Sequence, residues 1–597
     1  MDNPLLNLEG LPPFSRIRPE HVEPAIDQLL ADGRSQTEQL LESIPEFTWD
    51  NLVEPLEFLD NRLSRAWSPV SHLNSVVNSE ELRKAYNACL PKLSDYATEM
   101  GQNERLYQAY KQIRESDPNL DRAQIKGLDL PVLTYAEDRE LRREMYHAYV
   151  TRASERGPNA GKWDNSKIMD QILALRHEQA QLLGFDNYVQ RSLARKMARS
   201  YQEVMDFLTD LATRSRPKAQ AELDELRQYT RDEFGVTQLE AWDIGFYSEK
   251  LRQQRYSITQ EEIKPYLPET RVIPGMFAVI NRLYGMEISE ISGVECWHPD
   301  VRFYEIRDRD GELRGQFYLD LYARPHKRGG AWMDEYVGRF VTQEHTQIPV
   351  AYLTCNFSPP VGDKPALFTH EEVETLFHEF GHGLHHMLTK IDYPSVSGIS
   401  GVAWDAVELP SQFMENWCWE REAIDLFSGH YQSGKPIPDE MFNRMLAAKN
   451  FQAGMQMVRQ LEFSIFDMRI HGGLSPVQAG GIYEILDQVR AEVAVVHPPE
   501  FNRFAHSFSH IFGGGYGAGY YSYKWAEVLS ADAFSLFEKN GIFDQNTGES
   551  FLHNILEQGG SRDAMELFVA FRGREPTIDA LLRHSGMAAD ATPEEKV

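Results

Sequence analysis

The sequence predicts a mainly α-helical protein with one small β-sheet. Apolar residues recur at the spacing of an amphipathic helix through most of the chain. The clearest stretches are 22–30, 169–183, 204–229, 441–470 and 526–536. Pro19 suits the first turn of the first helix. The alternation typical of strands is scarce, and its best examples are QFYLDLY at 316–322 and VAYLTCNF at 350–357.

The composition is that of a globular protein with an acidic surface. Of 597 residues, 42% are hydrophobic and 25% are charged, which are ordinary values for a packed fold. The length corresponds to about four domain-sized units. Acidic residues outnumber basic ones 90 to 61, giving a net charge of −29. Because such a surface repels phosphate groups and anionic lipids, nucleic acids and membranes are poor partner candidates.

The cysteines and the N-terminus predict a cytoplasmic location. The chain has four cysteines, far apart and without a CxxC pair: Cys89, Cys296, Cys355 and Cys418. This pattern favours reduced thiols over a disulfide framework or a thiolate metal site. No basic stretch followed by an apolar run opens the chain. No apolar stretch approaches the roughly 18–20 residues that cross a bilayer.

The chain divides in the sequence at a polar, weakly periodic stretch, RESDPNLDRAQIKGLDL at 114–130. This stretch predicts a boundary between an N-terminal helical region, 1–135, and a larger C-terminal region, 136–597. We expect the chemistry to lie in the second region, because the motifs described next all occur there.

The segment FTHEEVETLFHEFGHGLHHML at 368–388 predicts a helix that carries a metal site. Thr369 and Glu372 have the spacing of a capping box, so the helix should begin at Thr369. Its apolar residues share one face. His378 and His382 lie on the opposite face, one turn apart, where two imidazoles can reach one Zn²⁺ at ~2.0–2.1 Å. The alternative is an amphipathic helix with surface histidines.

Three further residues of this helix refine the interpretation. Glu379 lies beside the two histidines and can approach a metal-bound water without being a ligand. Gly381 costs ~1 kcal/mol inside a helix, which indicates a close approach of another part of the backbone. His385 shares the histidine face but lies ~10 Å along the axis from His378. It therefore cannot share the ion, and we expect it to support the site from behind or to be exposed.

A tetrahedral catalytic zinc site needs a third protein ligand and leaves one position for water. The acidic candidates that follow the helix are Asp392, Asp405, Glu408 and Glu415. Glu408 would lie near the start of a second helix, because Pro410 fits a first turn. The alternative is a capping box between Asp405 and Glu408, and spacing leaves both open. Glu415, seven residues later on the same face, is a candidate acceptor for the ring N–H of a ligand histidine.

A glycine-rich segment near the C-terminus carries regularly spaced tyrosines. Tyr516, Tyr520 and Tyr523 recur at i, i+4 and i+7, which predicts one shared helix face. The glycines around Tyr516 would let this segment move onto a substrate. The alternative is an aromatic stripe in the core.

Together these motifs resemble the thimet-oligopeptidase family of zinc metallopeptidases. The resemblance lies in HEFGHGLHH at 378–386, VELPSQFMENW at 407–417 and HIFGGGYGAGYYSYKW at 510–525. GPNAGKWDNSK at 157–167 and FRGREP at 571–576 are similar to the bacterial members. It implies one Zn²⁺ per chain, held by His378, His382 and Glu408, with Glu379 as general base. It also implies catalytic roles for Tyr523 and His510, and substrate contacts from Tyr516, Tyr520, Gly514 and Gly515.

The resemblance also implies an architecture and an activity. The expected fold is a zincin-type metallopeptidase with two helical walls around a deep channel. The expected protein is a monomeric endopeptidase for short, unstructured peptides. A dipeptidyl-carboxypeptidase-type exopeptidase is an alternative from the same family. An inactive peptide-binding remnant is another, because a short polar link replaces a helical stretch that the family carries between the parts matching 106–113 and 130–135.

The strand at 350–357 precedes the zinc helix, and two interpretations of it stay open. It could be an edge strand that pairs with an extended peptide through main-chain hydrogen bonds. It could equally be an ordinary internal strand.

Overall fold

A computed structural model describes most of the chain. The described residues are 3–7, 10–43, 54–77, 79–101, 139–158, 160–256, 260–324, 327–328, 330–342, 345–360, 364–473 and 479–587. The predicted boundary at 135/136 and the short link at 114–130 lie outside these residues, and both stay predictions.

Helices dominate the described residues, and the prediction of a mainly α-helical fold with a small sheet is confirmed. Helices α1 to α10 are Pro19–Ser43, Glu54–Val76, Glu80–Gly101, Arg139–Val150, Ser166–Leu182, Tyr188–Leu193, Tyr201–Phe234, Ile244–Tyr256, Gln260–Ile263 and Glu269–Tyr284. Helices α11 to α21 are His370–Met387, Leu409–Glu415, Arg421–Phe427, Asp439–Lys449, Ala453–His471, Ala479–Val493, Ser509–Phe512, Ser522–Asn540, Gln545–Phe551, Ala564–Arg572 and Asp579–His584. No helix in the described part of the chain is long and apolar enough to span a membrane.

The chain forms two compact units. The first comprises Met1–Asp121, Glu269–Val402 and Phe543–Leu567, and the second comprises Arg122–Pro268, Ala403–Ile542 and Phe568–Val597. Each unit is thus built from segments that are distant in sequence.

The first unit contains the sheet. Its strands are β1 Glu287–Glu290, β2 Arg302–Arg307, β3 Leu313–Tyr322, β4 Trp332–Val337, β5 Phe340–Val341, β6 Thr346–Gln347 and β7 Val350–Phe357. Five of them form one sheet in the order β1-β2-β3-β7-β4, and β5 pairs with β6. Strands β3 and β7 are parallel, and the other neighbours in the larger sheet are antiparallel. The run at 350–357 therefore lies between two strands: the internal interpretation is confirmed, and the edge interpretation is wrong.

Close packing holds α11 against this sheet. At Gly315 in β3, an added Cβ would lie 2.5 Å from the Cβ of Met387 in α11. Only a residue without a side chain permits that approach. The apolar face of α11, from Val373 to Leu388, is buried as predicted.

The second unit is helical in its described residues. Helices α7 and α15 pack along each other, and α5 and α18 fall where the periodicity placed them. The helical periodicity at 441–470 is confirmed, but it belongs to two helices, α14 and α15, rather than to one. The break lies at Gln452, whose φ of 55° is left-handed and cannot continue a right-handed helix.

Candidate active site

Helix α11 begins where the capping box predicted. The Thr369 hydroxyl accepts a hydrogen bond from the Glu372 backbone N–H at 3.0 Å, and the Glu372 carboxylate accepts one from the Thr369 N–H at 2.7 Å. At the other end, the Arg314 guanidinium donates to the Leu388 carbonyl at 2.6 Å. Both ends of the helix thus have partners for backbone groups that a helix leaves unpaired.

The two histidines of α11 and Glu408 form a group that could hold a metal ion. The rings of His378 and His382 lie 5.0 Å apart, centroid to centroid, at 83°. One potential ligand atom from each of His378, His382 and Glu408 lies within 4.8 Å of the other two. Two imidazole nitrogens and one carboxylate oxygen are the donor set of a catalytic zinc site. The residues therefore fit a zinc ion.

Glu408 occupies the N-cap position of α12, as the sequence predicted. The Ser411 hydroxyl lies within hydrogen-bond distance of its carboxylate, at 3.1 Å, and of its carbonyl oxygen, at 3.0 Å. The alternative capping box with Asp405 is wrong, because the Asp405 carboxylate is used elsewhere. It accepts from the backbone N–H of Met197 at 2.7 Å and from the Tyr521 hydroxyl at 2.6 Å.

Glu379 is 7% exposed and belongs to α11, which packs on β7. Burial raises the pKa of the Cys355 thiol in that strand, and the Glu379 charge raises it further. Cys355 is therefore held as a neutral thiol beside the carboxylate. Glu415 closes α12 as a half-buried residue, and its predicted role stays a prediction.

His385 is buried, so of its two expected roles exposure is wrong, and support of the site from behind stays a prediction. Its pKa is lowered to about 3, chiefly by burial and in smaller part by the neighbouring His382 and His386. A neutral imidazole results. His386 is also buried, and its Nε2 lies 3.0 Å from the Val337 carbonyl oxygen, which can only accept a hydrogen bond.

The three tyrosines do not share a helix face, and that prediction is wrong. Helix α18 begins at Ser522, so Tyr516 and Tyr520 precede it. Their rings nevertheless meet: Tyr516 stacks on Tyr523 at 4.9 Å, and Tyr520 lies 5.3 Å from Tyr523. The alternative, an aromatic stripe in the core, is right in that the three rings pack together. It is not a stripe along one helix.

Tyr516 and Tyr523 lie near Glu408. Burial raises the pKa of each hydroxyl, and the negative charge of Glu408 raises it further. Both hydroxyls are therefore protonated at neutral pH and can donate hydrogen bonds.

His510 lies in the short helix α17, close to the tyrosines. Its ring is 5.5 Å from that of Tyr520 and 6.3 Å from that of Tyr516. Its carbonyl oxygen accepts a hydrogen bond from the Tyr516 N–H at 3.0 Å. Gly514 packs on this turn, where an added Cβ would lie 3.2 Å from the His510 carbonyl oxygen, and Gly515 has a φ of +77°. The predicted residues are thus close together, while their roles stay predictions.

Sequence reasoning missed two residues that hold this region. Ser411 bonds Glu408, and its type and position gave no signal. Asp467 lies in α15 and is fully buried. Its signal was available: a carboxylate with apolar residues directly on both sides, IFDM at 465–468, needs partners if it is buried.

Comparison with known families decides the classification. The sequence profile of Peptidase family M3 matches residues 132–587. The chain belongs to peptidase family M3. The profile of the Neurolysin/Thimet oligopeptidase N-terminal domain matches residues 26–129. The resemblance stated from the motifs is confirmed.

Relatives within family M3 cover nearly the whole chain. Oligopeptidase A of Salmonella typhimurium is 51% identical over 678 aligned residues, covering 98% of this chain and 100% of the relative. Oligopeptidase A of Escherichia coli shows the same identity and coverage. Dipeptidyl carboxypeptidase of S. typhimurium is 35% identical and covers 76% of this chain and 66% of its own length. Because 678 exceeds the 597 residues of this chain, these oligopeptidases A carry segments without a counterpart here.

Solved structures support the fold. PZ peptidase A with an inhibitor matches with a TM-score of 0.53 at 15% identity, covering 96% of this chain and 98% of that one. The M32 carboxypeptidase of Deinococcus radiodurans matches with a TM-score of 0.54 at 12% identity, covering 90% and 99%. At these identities the similarity shows the fold alone.

Proposed function

We propose that this M3 peptidase is a zinc-dependent endopeptidase that hydrolyses short, unstructured peptides. The observation that carries the proposal is the group of His378, His382 and Glu408, whose potential ligand atoms lie within 4.8 Å of one another. Glu379 is buried one residue away from the first histidine. Monomeric state, cytoplasmic location and two helical walls around a deep channel stay predictions.

Each residue has a separate task in the proposed mechanism. Zn²⁺ bound by His378, His382 and Glu408 would lower the pKa of water and polarise the scissile carbonyl. The Glu379 carboxylate takes a proton from the attacking water and passes it to the leaving nitrogen. The hydroxyl of Tyr523 donates a hydrogen bond to the oxygen that gains negative charge.

The substrate contacts predicted from the sequence belong to the same proposal. Tyr516 contacts the substrate next to Tyr523, because its ring stacks on that of Tyr523 and both rings lie near Glu408. Tyr520, Gly514 and Gly515 contact the bound peptide. His510, in van der Waals range of this aromatic cluster, donates to the substrate backbone.

Endopeptidase action is favoured over exopeptidase action by the relatives. The chain is 51% identical to oligopeptidase A and 35% identical to dipeptidyl carboxypeptidase. A quenched peptide with an amidated C-terminus separates the two activities. An endopeptidase cleaves it unimpaired, whereas an enzyme that needs a free C-terminal carboxylate does not.

The central test combines metal analysis with peptide hydrolysis. We expect one zinc per chain, hydrolysis of a quenched oligopeptide, and loss of hydrolysis on chelation that zinc reverses. Glu379→Gln should retain zinc and lower kcat by about 10³-fold or more. Glu440→Gln, at an exposed position of α14, is the matched control and should keep full activity. A folded wild-type protein that holds zinc but cleaves no peptide would support the inactive-remnant alternative.

A further inference from the structure

The backbone of the tyrosine segment, residues 516–523, rests on one buried carboxylate. Asp467 in α15 is fully buried. It accepts hydrogen bonds from three successive backbone N–H groups: Ala518 at 2.9 Å, Gly519 at 2.8 Å and Tyr520 at 2.9 Å. Three N–H groups converging on one carboxylate form a cradle that holds the backbone in a single path.

The carboxylate is itself held by a histidine and an arginine. The His471 Nε2 lies 3.0 Å from a guanidinium nitrogen of Arg176. Because a guanidinium can only donate, Nε2 accepts and the proton of a neutral His471 is on Nδ1. That Nδ1 lies 3.0 Å from a carboxylate oxygen of Asp467 and 2.9 Å from its carbonyl oxygen. The chain Arg176–His471–Asp467 therefore fixes the carboxylate from behind.

The other side of the segment is held as well. The Ser192 hydroxyl lies within hydrogen-bond distance of the carbonyl oxygens of Gly517, at 3.2 Å, and Ala518, at 3.0 Å. At Gly517 an added Cβ would lie 2.7 Å from the Arg176 guanidinium. Ala518 has a φ of 50°, in the left-handed region that residues with a side chain seldom adopt. Such a conformation persists only where its surroundings enforce it.

The held tripeptide, residues 518–520, lies in the chain between the two tyrosines whose rings stack, Tyr516 and Tyr523. Tyr516 precedes Ala518, and Tyr523 follows Tyr520 by three residues. Since Tyr516 lies outside α18, the helix does not fix its position. We infer that Asp467 is the positioning residue of the active-site tyrosines: it holds the 518–520 backbone so that the Tyr516 ring stays stacked on the Tyr523 ring at 4.9 Å. This inference rests on the proposed function for its kinetic consequences, but not for its structural ones.

A matched buried aspartate offers the control. Asp532 in α18 is also fully buried. It bonds the guanidinium groups of Arg572 and Arg574 and the Thr577 N–H. It is thus embedded in a similar network that does not include the 518–520 backbone. Asp532→Asn should lower thermal stability and leave the kcat of the folded protein unchanged.

The kinetic test is Asp467→Asn. The amide keeps the size of the side chain, loses the charge and points an N–H₂ group at donors. We expect kcat to fall by about 10- to 100-fold, KM to change by less than about threefold and the zinc content to stay at one per chain. A kcat within about threefold of the wild-type value, measured on folded protein, would overturn the inference.

A double-mutant cycle separates positioning from general damage. If Asp467 acts through the tyrosines, Asp467→Asn should cost less than about threefold when both Tyr516 and Tyr523 are already phenylalanine. If the kcat losses of the Asp467 variant and of the tyrosine variant multiply when the two are combined, the residues act independently, and the inference would be overturned. His471→Gln provides a second, milder variant should Asp467→Asn fail to fold, with a smaller kcat loss in the same direction.

Hydrogen exchange tests the anchor without any assay of activity. In the wild-type protein the amides of residues 518–520 should be protected. In Asp467→Asn they should exchange about tenfold faster or more, with α11 unchanged. Unchanged exchange at 518–520 would overturn the inference. A wild-type protein that cleaves no peptide would refute the proposed function, while the exchange result would still decide the role of Asp467.

Discussion

Helix α11 and the tyrosine segment both carry regularly spaced candidate site residues, yet only the first has the structure that its spacing predicts. In α11 the capping box forms between Thr369 and Glu372, and the histidines lie one turn apart. In the tyrosine segment the i, i+4, i+7 spacing crosses the start of α18 at Ser522. The rings come together through a different backbone path.

The difference lies in where the backbone N–H groups find acceptors. In α11 the first donors are capped by a residue three positions away. In the tyrosine segment three donors are taken up by Asp467, which lies 51 to 53 residues earlier in the chain. Spacing is therefore a reliable guide where the partners are local, and it misleads where a distant side chain competes for the backbone.

The largest expected effect tests the metal group that α11 helps to build. Glu408→Ala removes the carboxylate of the group, so zinc should be lost and hydrolysis should fall below detection. Glu422→Ala, at an exposed position in α13, should retain both. The measurement is zinc per chain by elemental analysis after dialysis, alongside peptide hydrolysis. Stoichiometric zinc in Glu408→Ala would show that the third ligand is another residue.

The next effect tests the tyrosine segment itself. Tyr523→Phe should lower kcat by about 10- to 100-fold with zinc retained, because it removes one donor to the developing negative charge. Tyr520→Phe should have a smaller effect, because its hydroxyl already donates to the Gln460 side chain at 3.0 Å. Steady-state kinetics on both variants check the order. An equal fall of kcat in Tyr523→Phe and Tyr520→Phe would contradict the special role proposed for the Tyr523 hydroxyl.

A smaller effect is expected at Ser411, whose hydroxyl bonds Glu408. Ser411→Ala should weaken zinc binding by about tenfold, as for other groups that orient a ligand, and leave kcat at saturating zinc unchanged. Titration with a competing chelator measures the affinity. Ser464→Ala is the matched control, since that buried hydroxyl bonds the Gln460 carbonyl in α15. Equal zinc affinity in the two variants would contradict an orienting role for Ser411.

The sequence predicted what depends on local chemistry. The capping box, the buried face of α11 and the N-cap position of Glu408 all follow from residues within a few positions of one another. The break at Gln452 and the internal place of β7 do not, because a left-handed residue and a strand order are decided by tertiary packing. His385 shows the same limit: its spacing excluded it from the metal, but only the fold shows that it is buried.

The smallest expected effect tests whether the cap of α11 contributes to stability without affecting the site. Thr369→Ala removes the hydroxyl that accepts the Glu372 N–H, which should lower the free energy of unfolding by about 1 kcal/mol. Since His378 lies more than two turns further along α11, zinc content and kcat should not change. Thr369→Ser keeps the hydroxyl and should be close to wild type in both respects. Thermal or denaturant unfolding measures the first quantity, and steady-state kinetics the second. If Thr369→Ala instead lowered kcat and left the free energy of unfolding unchanged, the cap would act on the site and not on helix stability. The contrast drawn here between α11 and the tyrosine segment would then fail.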